Sequence, residues 1–224
     1  MKSGELLNLH LMRWAFVSVS RMVSKYRNQS IFEHPFRKQS SQRLDVGLGA
    51  RIAVVADSHS HLHPNTISIL SNAQPSYILH AGDIGDSKVL KSLERVAPTI
   101  AVRGNIDARG PALVDDVLLT LHSENKVLSR WLLTHIAVAR RKIRSDALSL
   151  AHQKDAQLII CGHSHVPLLL SEKGVALFNP GSCGPRRFRL PILVGFIELL
   201  STGINCYHWC CETNQRWIPP THVA

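Results

Sequence analysis

The sequence predicts an α/β fold in a single domain, on three observations. Between residues 51 and 103, short apolar runs rich in β-branched residues alternate with stretches of helical periodicity, which implies a parallel sheet with right-handed crossovers. Each of these runs stops on a cluster of Asp, Asn or His, where open α/β sheets place their ligands. Beyond residue 115 the apolar runs are mostly joined by short turns, so the second half reads as strand-rich. At 224 residues, 45% hydrophobic and 19% charged, the chain has the size and composition of one ordinary domain with appendages.

Residues 51–55 form a continuous apolar run of the kind found in a strand covered on both faces, and it ends on Asp57-Ser58-His59. In an extended backbone residues i and i+2 share a side, so Asp57 and His59 are expected to point one way and Ser58 the other. Pro64 suits a helix first turn, and Ile67, Leu70 and Ala73 then fall on one face of a helix over 66–73. Residues 76–80 are the second strand, ending in Gly82-Asp83. Asp86 or Ser87 caps a helix that turns Val89, Leu90 and Leu93 inward. Residues 98–103 are the third strand, ending in Gly104-Asn105. In the second half, strands over 116–121 and 127–134 flank a turn at Glu124-Asn125-Lys126, and the latter delivers His135. A helix over 145–154 precedes a buried strand, 156–161, that delivers Gly162-His163-Ser164-His165. A hairpin over 166–178 leads to Asn179-Pro180-Gly181-Ser182, and strands over 190–200 and 204–211 close the domain.

The domain is expected to span 51–211, between a basic extension over 1–50, expected to be poorly ordered, and a tail over 212–224. The formal net charge is +10, with eight Lys/Arg against three Asp/Glu in residues 1–50 and eighteen against thirteen in the rest. The extension is rich in Arg and Ser and poor in acids, which leaves three readings open: an organelle transit peptide, a dispensable tail, or an over-extended translation start. No apolar run approaches the roughly 18–20 residues of a membrane span, so no membrane partner is expected. There is no zinc finger, RRM signature or basic stripe interleaved with aromatics, so a nucleic-acid partner is not expected either. Five cysteines without framework spacing point to a reduced, cytoplasmic protein. The oligomeric state is left open.

The polar strand ends, collected, are Asp57, His59, Asp83, Asn105, His135, His163 and His165. Mixed N and O donors suit Mn, Fe, Ni, Co or Zn better than Ca or Mg. Seven donors exceed what one ion needs and match two ions sharing a carboxylate. Such a pair can hold a hydroxide at neutral pH and offset charge on a phosphoryl group.

In this order, Asp57-x-His59, Gly82-Asp83, Gly104-Asn105, His135 and Gly162-His163-Ser164-His165 resemble the motifs of the calcineurin-like metallophosphoesterases. Asn179-Pro180-Gly181-Ser182 is similar to the small bacterial and archaeal phosphodiesterase branch. The resemblance implies a four-layer α/β/β/α sandwich. It also implies a phosphodiesterase that uses a hydroxide bridging two divalent transition-metal ions (Mn2+ foremost; Ni2+, Fe2+, Co2+ or Zn2+ otherwise) on a small phosphate ester. By the same resemblance Asp57, His59 and His165 hold one ion, Asn105, His135 and His163 hold the other, and Asp83 bridges them. A retromer subunit similar to this family serves as a scaffold, so a non-catalytic protein-binding scaffold is the alternative.

Two departures stand out. Many relatives place a leaving-group histidine after Gly-Asn, and here that position is Ile106. His61 is the substitute candidate for the catalytic acid; its other reading is an exposed loop histidine. Ile136-Ala137 is also more apolar than usual after the His135 ligand. Arg186 and Arg187, beside Arg189, are candidates for gripping the substrate phosphate, or else form a solvated charge cluster.

Overall fold

The computed structural model describes residues 37–187 and 189–218. In chain order its elements are β1 (Gln39–Asp45), β2 (Arg51–Val55), α1 (Thr66–Ala73), β3 (Tyr77–His80), α2 (Lys88–Glu94), β4 (Thr99–Ala101), β5 (Asp116–Ser123), β6 (Lys126–Thr134), β7 (Val138–Ala139), β8 (Lys142–Ile143), α3 (Ser145–Gln153), β9 (Leu158–Ile160), β10 (Leu168–Glu172), β11 (Val175–Asn179), β12 (Leu193–Leu200), β13 (Gly203–Cys210) and β14 (Gln215–Trp217). The larger strands form two six-stranded sheets, ordered β1-β5-β6-β9-β11-β10 and β14-β13-β12-β2-β3-β4.

The period-2 geometry of a strand explains why these strands are apolar throughout. Ile52, Val54, Leu79, Ile197 and Leu199 of one sheet meet Val117, Leu119, Trp131, Leu158, Ile160 and Phe178 of the other in a central core. The intervening Ala53, Val55, Ile78, Val194 and Phe196 pack on α1 and α2 through Ile69, Leu70, Val89 and Leu93. On the far side, Leu132, Ile159 and Leu177 pack on α3 through Ala147, Leu148 and Ala151. The result is the expected α/β/β/α order of layers.

β2, β3 and β4 pair in parallel, as their alternation with helices predicts. β6 and β9 are also parallel. Two hairpins close on two-residue turns at positive φ, Glu124-Asn125 and Lys173-Gly174, which match the right-handed twist of the strands they join. The α2 start is capped by Asp86, whose Oδ1 accepts the Lys88 N–H at 2.8 Å.

The expected limits of the domain change at both ends. Gln39–Asp45, placed in the extension, is an edge strand paired in parallel along the whole of β5. Gln215–Trp217, placed in the tail, pairs with β13. Neither has the apolar density of the central strands, so neither stands out by pattern. Residues 1–36 and 219–224, and with them most of the expected extension, lie outside the described residues.

Two buried histidines tie the sheets to the rim loops. His208 of β13 donates from Nε2 to the Asn179 carbonyl at 2.8 Å, and His80 of β3 lies 3.0 Å from the Ser58 hydroxyl. Burial pulls both down to about 4. Between that value and the ordinary 6.5, the unfolded chain binds protons that the folded protein refuses, so stability falls as pH falls. Acidification from pH 7 to 5 is therefore expected to lower the unfolding free energy of chelator-treated protein, measured in urea, by about 2 kcal/mol for each histidine. His208→Gln, which keeps a donor and does not titrate, should remove its share of that loss and leave the share of His80; an unchanged slope would count against it.

Candidate metal centre

The loops after β2, β3, β4, β6 and β9 meet at one rim, because parallel strands put their C-terminal ends on the same side. Asp83 sits in the middle. Its Oδ2 is 3.6 Å from His59 Nε2, and its Oδ1 is 3.3 Å from His135 Nε2. Asp57 Oδ1 is 3.6 Å from His165 Nε2, which lies 3.3 Å from His59 Nε2. Donor atoms thus converge in two groups, Asp57–His59–His165 and Asp57–Asp83–His135, with each group's atoms within 4.8 Å of one another.

The remaining two sequence candidates lie at the edge of this cluster. The exposed His163 ring meets the His135 ring edge-on at 5.2 Å, and its backbone N–H donates to Asp57 Oδ1 at 3.1 Å. Asn105 is exposed and lines a small cleft with His135. The structure therefore gathers Asp57, His59, Asp83, His135 and His165 tightly, and sets Asn105 and His163 beside His135.

The backbone geometry differs from the extended form expected for Asp57 and His59. The strand stops at Val55, and Asp57 and His59 both adopt positive φ, as do Asp83, His163 and His165. Asp and His tolerate this left-handed conformation better than most residues, but it persists only where surroundings impose it. Close packing of the loops imposes it here. A Cβ on Gly104 would fall on the Asp83 backbone nitrogen, and one on Gly162 would come within 3.0 Å of Asp57 Oδ2. The glycines that precede Asn105 and His163 are thus clearances between neighbouring rim loops.

Two supports were not legible as site residues. Asp107 is buried, and its carboxylate accepts the N–H groups of Ile84 (3.0 Å), Gly85 (2.9 Å) and Gly104 (2.8 Å), lacing the loops after β3 and β4. In sequence it reads as one more polar turn residue. Asn179 donates to the Gly162 carbonyl at 2.7 Å and to Ser164 Oγ at 3.2 Å, while Ser182 Oγ donates to the Asp57 carbonyl at 2.9 Å. The Asn-Pro-Gly-Ser turn is thus a brace shared by the loops that carry Asp57 and His163.

Charge and burial fit a divalent cation. Asp57 is pushed up to about 8 by burial and then by the charge of Asp83. His165 falls to about 4 through burial and then Arg187, and burial also lowers His59 and His135. Neutral imidazole is the metal-binding form of histidine, and a cation between Asp57 and Asp83 would offset the repulsion that raises Asp57 and favour its carboxylate. Asp57 Oδ2 and His135 Nε2 are buried without a hydrogen-bond partner. His135 Nδ1 donates to the Ala81 carbonyl at 2.7 Å, which leaves the Nε2 lone pair free to ligate.

Arg187 donates to His59 Nε2 at 3.3 Å, onto the lone pair that a cation would take. Arg186 instead spends its guanidinium on Glu212 and the Leu190 carbonyl. His61 is exposed, with Nδ1 3.2 Å from the His59 carbonyl.

Residues 51–202 match the family model of the calcineurin-like phosphoesterase superfamily domain. A probable metallophosphoesterase of Methanocaldococcus jannaschii is 27% identical over 159 residues, 66% of this chain and 76% of that protein. Among solved structures, wild-type Vps29 of Entamoeba histolytica complexed with zinc superposes with a TM-score of 0.61 at 17% identity, covering 75% of this chain and 96% of that one. The phosphoesterase YfcE of E. coli superposes with a TM-score of 0.54 at 18% identity, covering 75% and 97%.

Asp107→Ala strands three backbone donors, and a loss on the order of 2–4 kcal/mol in urea unfolding is expected, together with weaker metal uptake by the same protein. Wild-type values for both measurements would show that Asp107 does not hold the rim.

Proposed function

We propose, from the premise that this chain belongs to the calcineurin-like phosphoesterase superfamily, that it is a metal-dependent phosphodiesterase acting on a small phosphate ester. One observation carries the reading: the Asp83 carboxylate reaches His59 with one oxygen and His135 with the other, beside buried Asp57 and His135 atoms that lack hydrogen-bond partners. Asp57, His59 and His165 would hold one divalent ion, Asn105, His135 and His163 a second, and Asp83 would serve both. The N/O donor set suits a divalent transition metal, Mn2+, Ni2+, Fe2+, Co2+ or Zn2+, with Mn2+ foremost by the family resemblance. When bound, two such ions supply a hydroxide nucleophile at neutral pH and positive charge for the phosphoryl oxygens.

The chain's own residues do the rest. Arg187, already directed at His59 Nε2, orients a phosphoryl oxygen by its N–H groups. Arg186 is a weaker candidate because Glu212 and the Leu190 carbonyl occupy it. Ile106 is exposed and cannot protonate a leaving group, which favours esters with good leaving groups, with His61 as the nearby proton donor. A cytoplasmic location is supported by five cysteines that are all unpaired. Among the described residues no helix is long and apolar enough to cross a membrane.

Purified protein is expected to retain about two transition-metal ions per chain by elemental analysis. With Mn2+ or Ni2+ it should hydrolyse bis(p-nitrophenyl) phosphate, and Asp83→Ala should lower turnover at least about 100-fold. Equal inactivity of both proteins across several metals and esters, with no ion retained, would favour the alternative of a non-catalytic scaffold.

A further inference from the structure

β1 precedes the family-matched segment, and its register has a consequence for the site. Gln39 pairs with Asp116 at the start of β5, and Asp116 pairs across to Thr134, the residue before His135. Arg37, two residues ahead of β1, is thereby delivered to the wall beside His135. Its Nε and Nη2 fork onto the buried Asp116 carboxylate, and Nη2 also donates to Thr134 Oγ1 at 2.7 Å. From the other side, Arg103 donates to Asp115 through Nε and Nη2 and to the Gly104 carbonyl through Nη1 at 3.1 Å. Asp115 also accepts the Lys38 N–H at 2.8 Å, so both carboxylates are filled with donors.

A cleft of about 100 Å³ opens between these groups, lined by Arg37, Arg103, Asn105, His135 and Ile136 and by Asp115, whose carboxylate is already taken by Arg103 and the Lys38 N–H. That is room for about three waters, the scale of a phosphate or carboxylate. Among the described residues, Arg37 Nη1 takes no hydrogen bond. A guanidinium fixed by a carboxylate on one edge keeps N–H groups and is pre-organised for an oxyanion on another.

Resting on the phosphoesterase reading above, we infer that this cleft is a subsite for a second anionic group of the substrate, one that it carries beyond the scissile phosphate. Arg37, brought in by the appended strand, is its specificity-determining residue. The substrate class is then a phosphate ester bearing an additional phosphate or carboxylate close to the reacting phosphorus. Ile136 supplies the apolar part of the lining, which gives that unusual neighbour of His135 a place in recognition.

The test is calorimetric binding to the Mn2+-loaded full chain of methylphosphonate, phosphonoacetate and methylenebisphosphonate, which share one phosphonate and differ in the second anion. Wild type is expected to prefer at least one of the two dianionic-group ligands over methylphosphonate by about tenfold. In Arg37→Gln/Asp116→Asn, which leaves no buried unpaired carboxylate, that preference should fall towards unity. Chelation in free solution is common to both proteins and cancels when their preferences are compared. A purely structural role for Arg37 would weaken all three ligands together and leave the preference in place. Arg37→Lys, which keeps Asp116 neutralised but removes the fork, should lose at least about threefold of the preference and serves if the double variant does not fold. No preference in wild type, or one retained in the variants, overturns the subsite. Preference without hydrolysis of bis(p-nitrophenyl) phosphate would keep the subsite and remove the reaction, whereas hydrolysis without preference would do the reverse.

Discussion

The split reach of the Asp83 carboxylate, one oxygen towards His59 and the other towards His135, is the interaction on which the rim depends. Nothing in the local sequence around Asp83 favours it. The residue sits at positive φ, and its neighbours in space, Gly104 and the Asp107 carboxylate, hold the loop there. Strain at single residues is commonly worth about 1–3 kcal/mol, so several left-handed residues in one place need several compensating contacts. Asp107, Asn179 and Ser182 supply them by accepting from and donating to backbone groups of the rim loops.

Electrostatics set the second constraint. Two carboxylates share a poorly solvated site, and burial with mutual repulsion drives Asp57 towards its protonated form. The histidines around them are held neutral for the same reason of burial. A cluster of this kind is costly when left incomplete, since buried polar atoms lose hydration without gaining partners. Positive charge resolves it. Arg187 supplies part of that charge at His59, and divalent cations would supply the rest.

The edge strand β1 shows how a peripheral addition can reach a centre. By pairing along β5 it extends a sheet in which the next strand, β6, ends at Thr134, just before His135. It also brings Arg37 to Asp116, so one buried acid is neutralised by a residue far away in the chain. That pairing is a register effect: shifting β1 by one residue would turn every side chain of the strand to the opposite face.

By itself the sequence determined the alternation of strands and helices, the order of the ligand motifs and the family, because these depend on periodicity and on residue type at strand ends. Ala53 and Val55 next to Ile52 and Val54 already say that both faces of β2 are covered. Only the tertiary structure decided which donors meet. It drew Asp57, His59, Asp83, His135 and His165 together, placed Asn105 and His163 beside them, separated Arg187 from Arg186, and turned the expected extended Asp57–His59 segment into a left-handed turn. Residues such as Arg37 and Asp107 could not be read in advance, because their partners lie on other strands and loops. A hydrogen bond between residues 37 and 116 leaves no mark on the pattern of either segment.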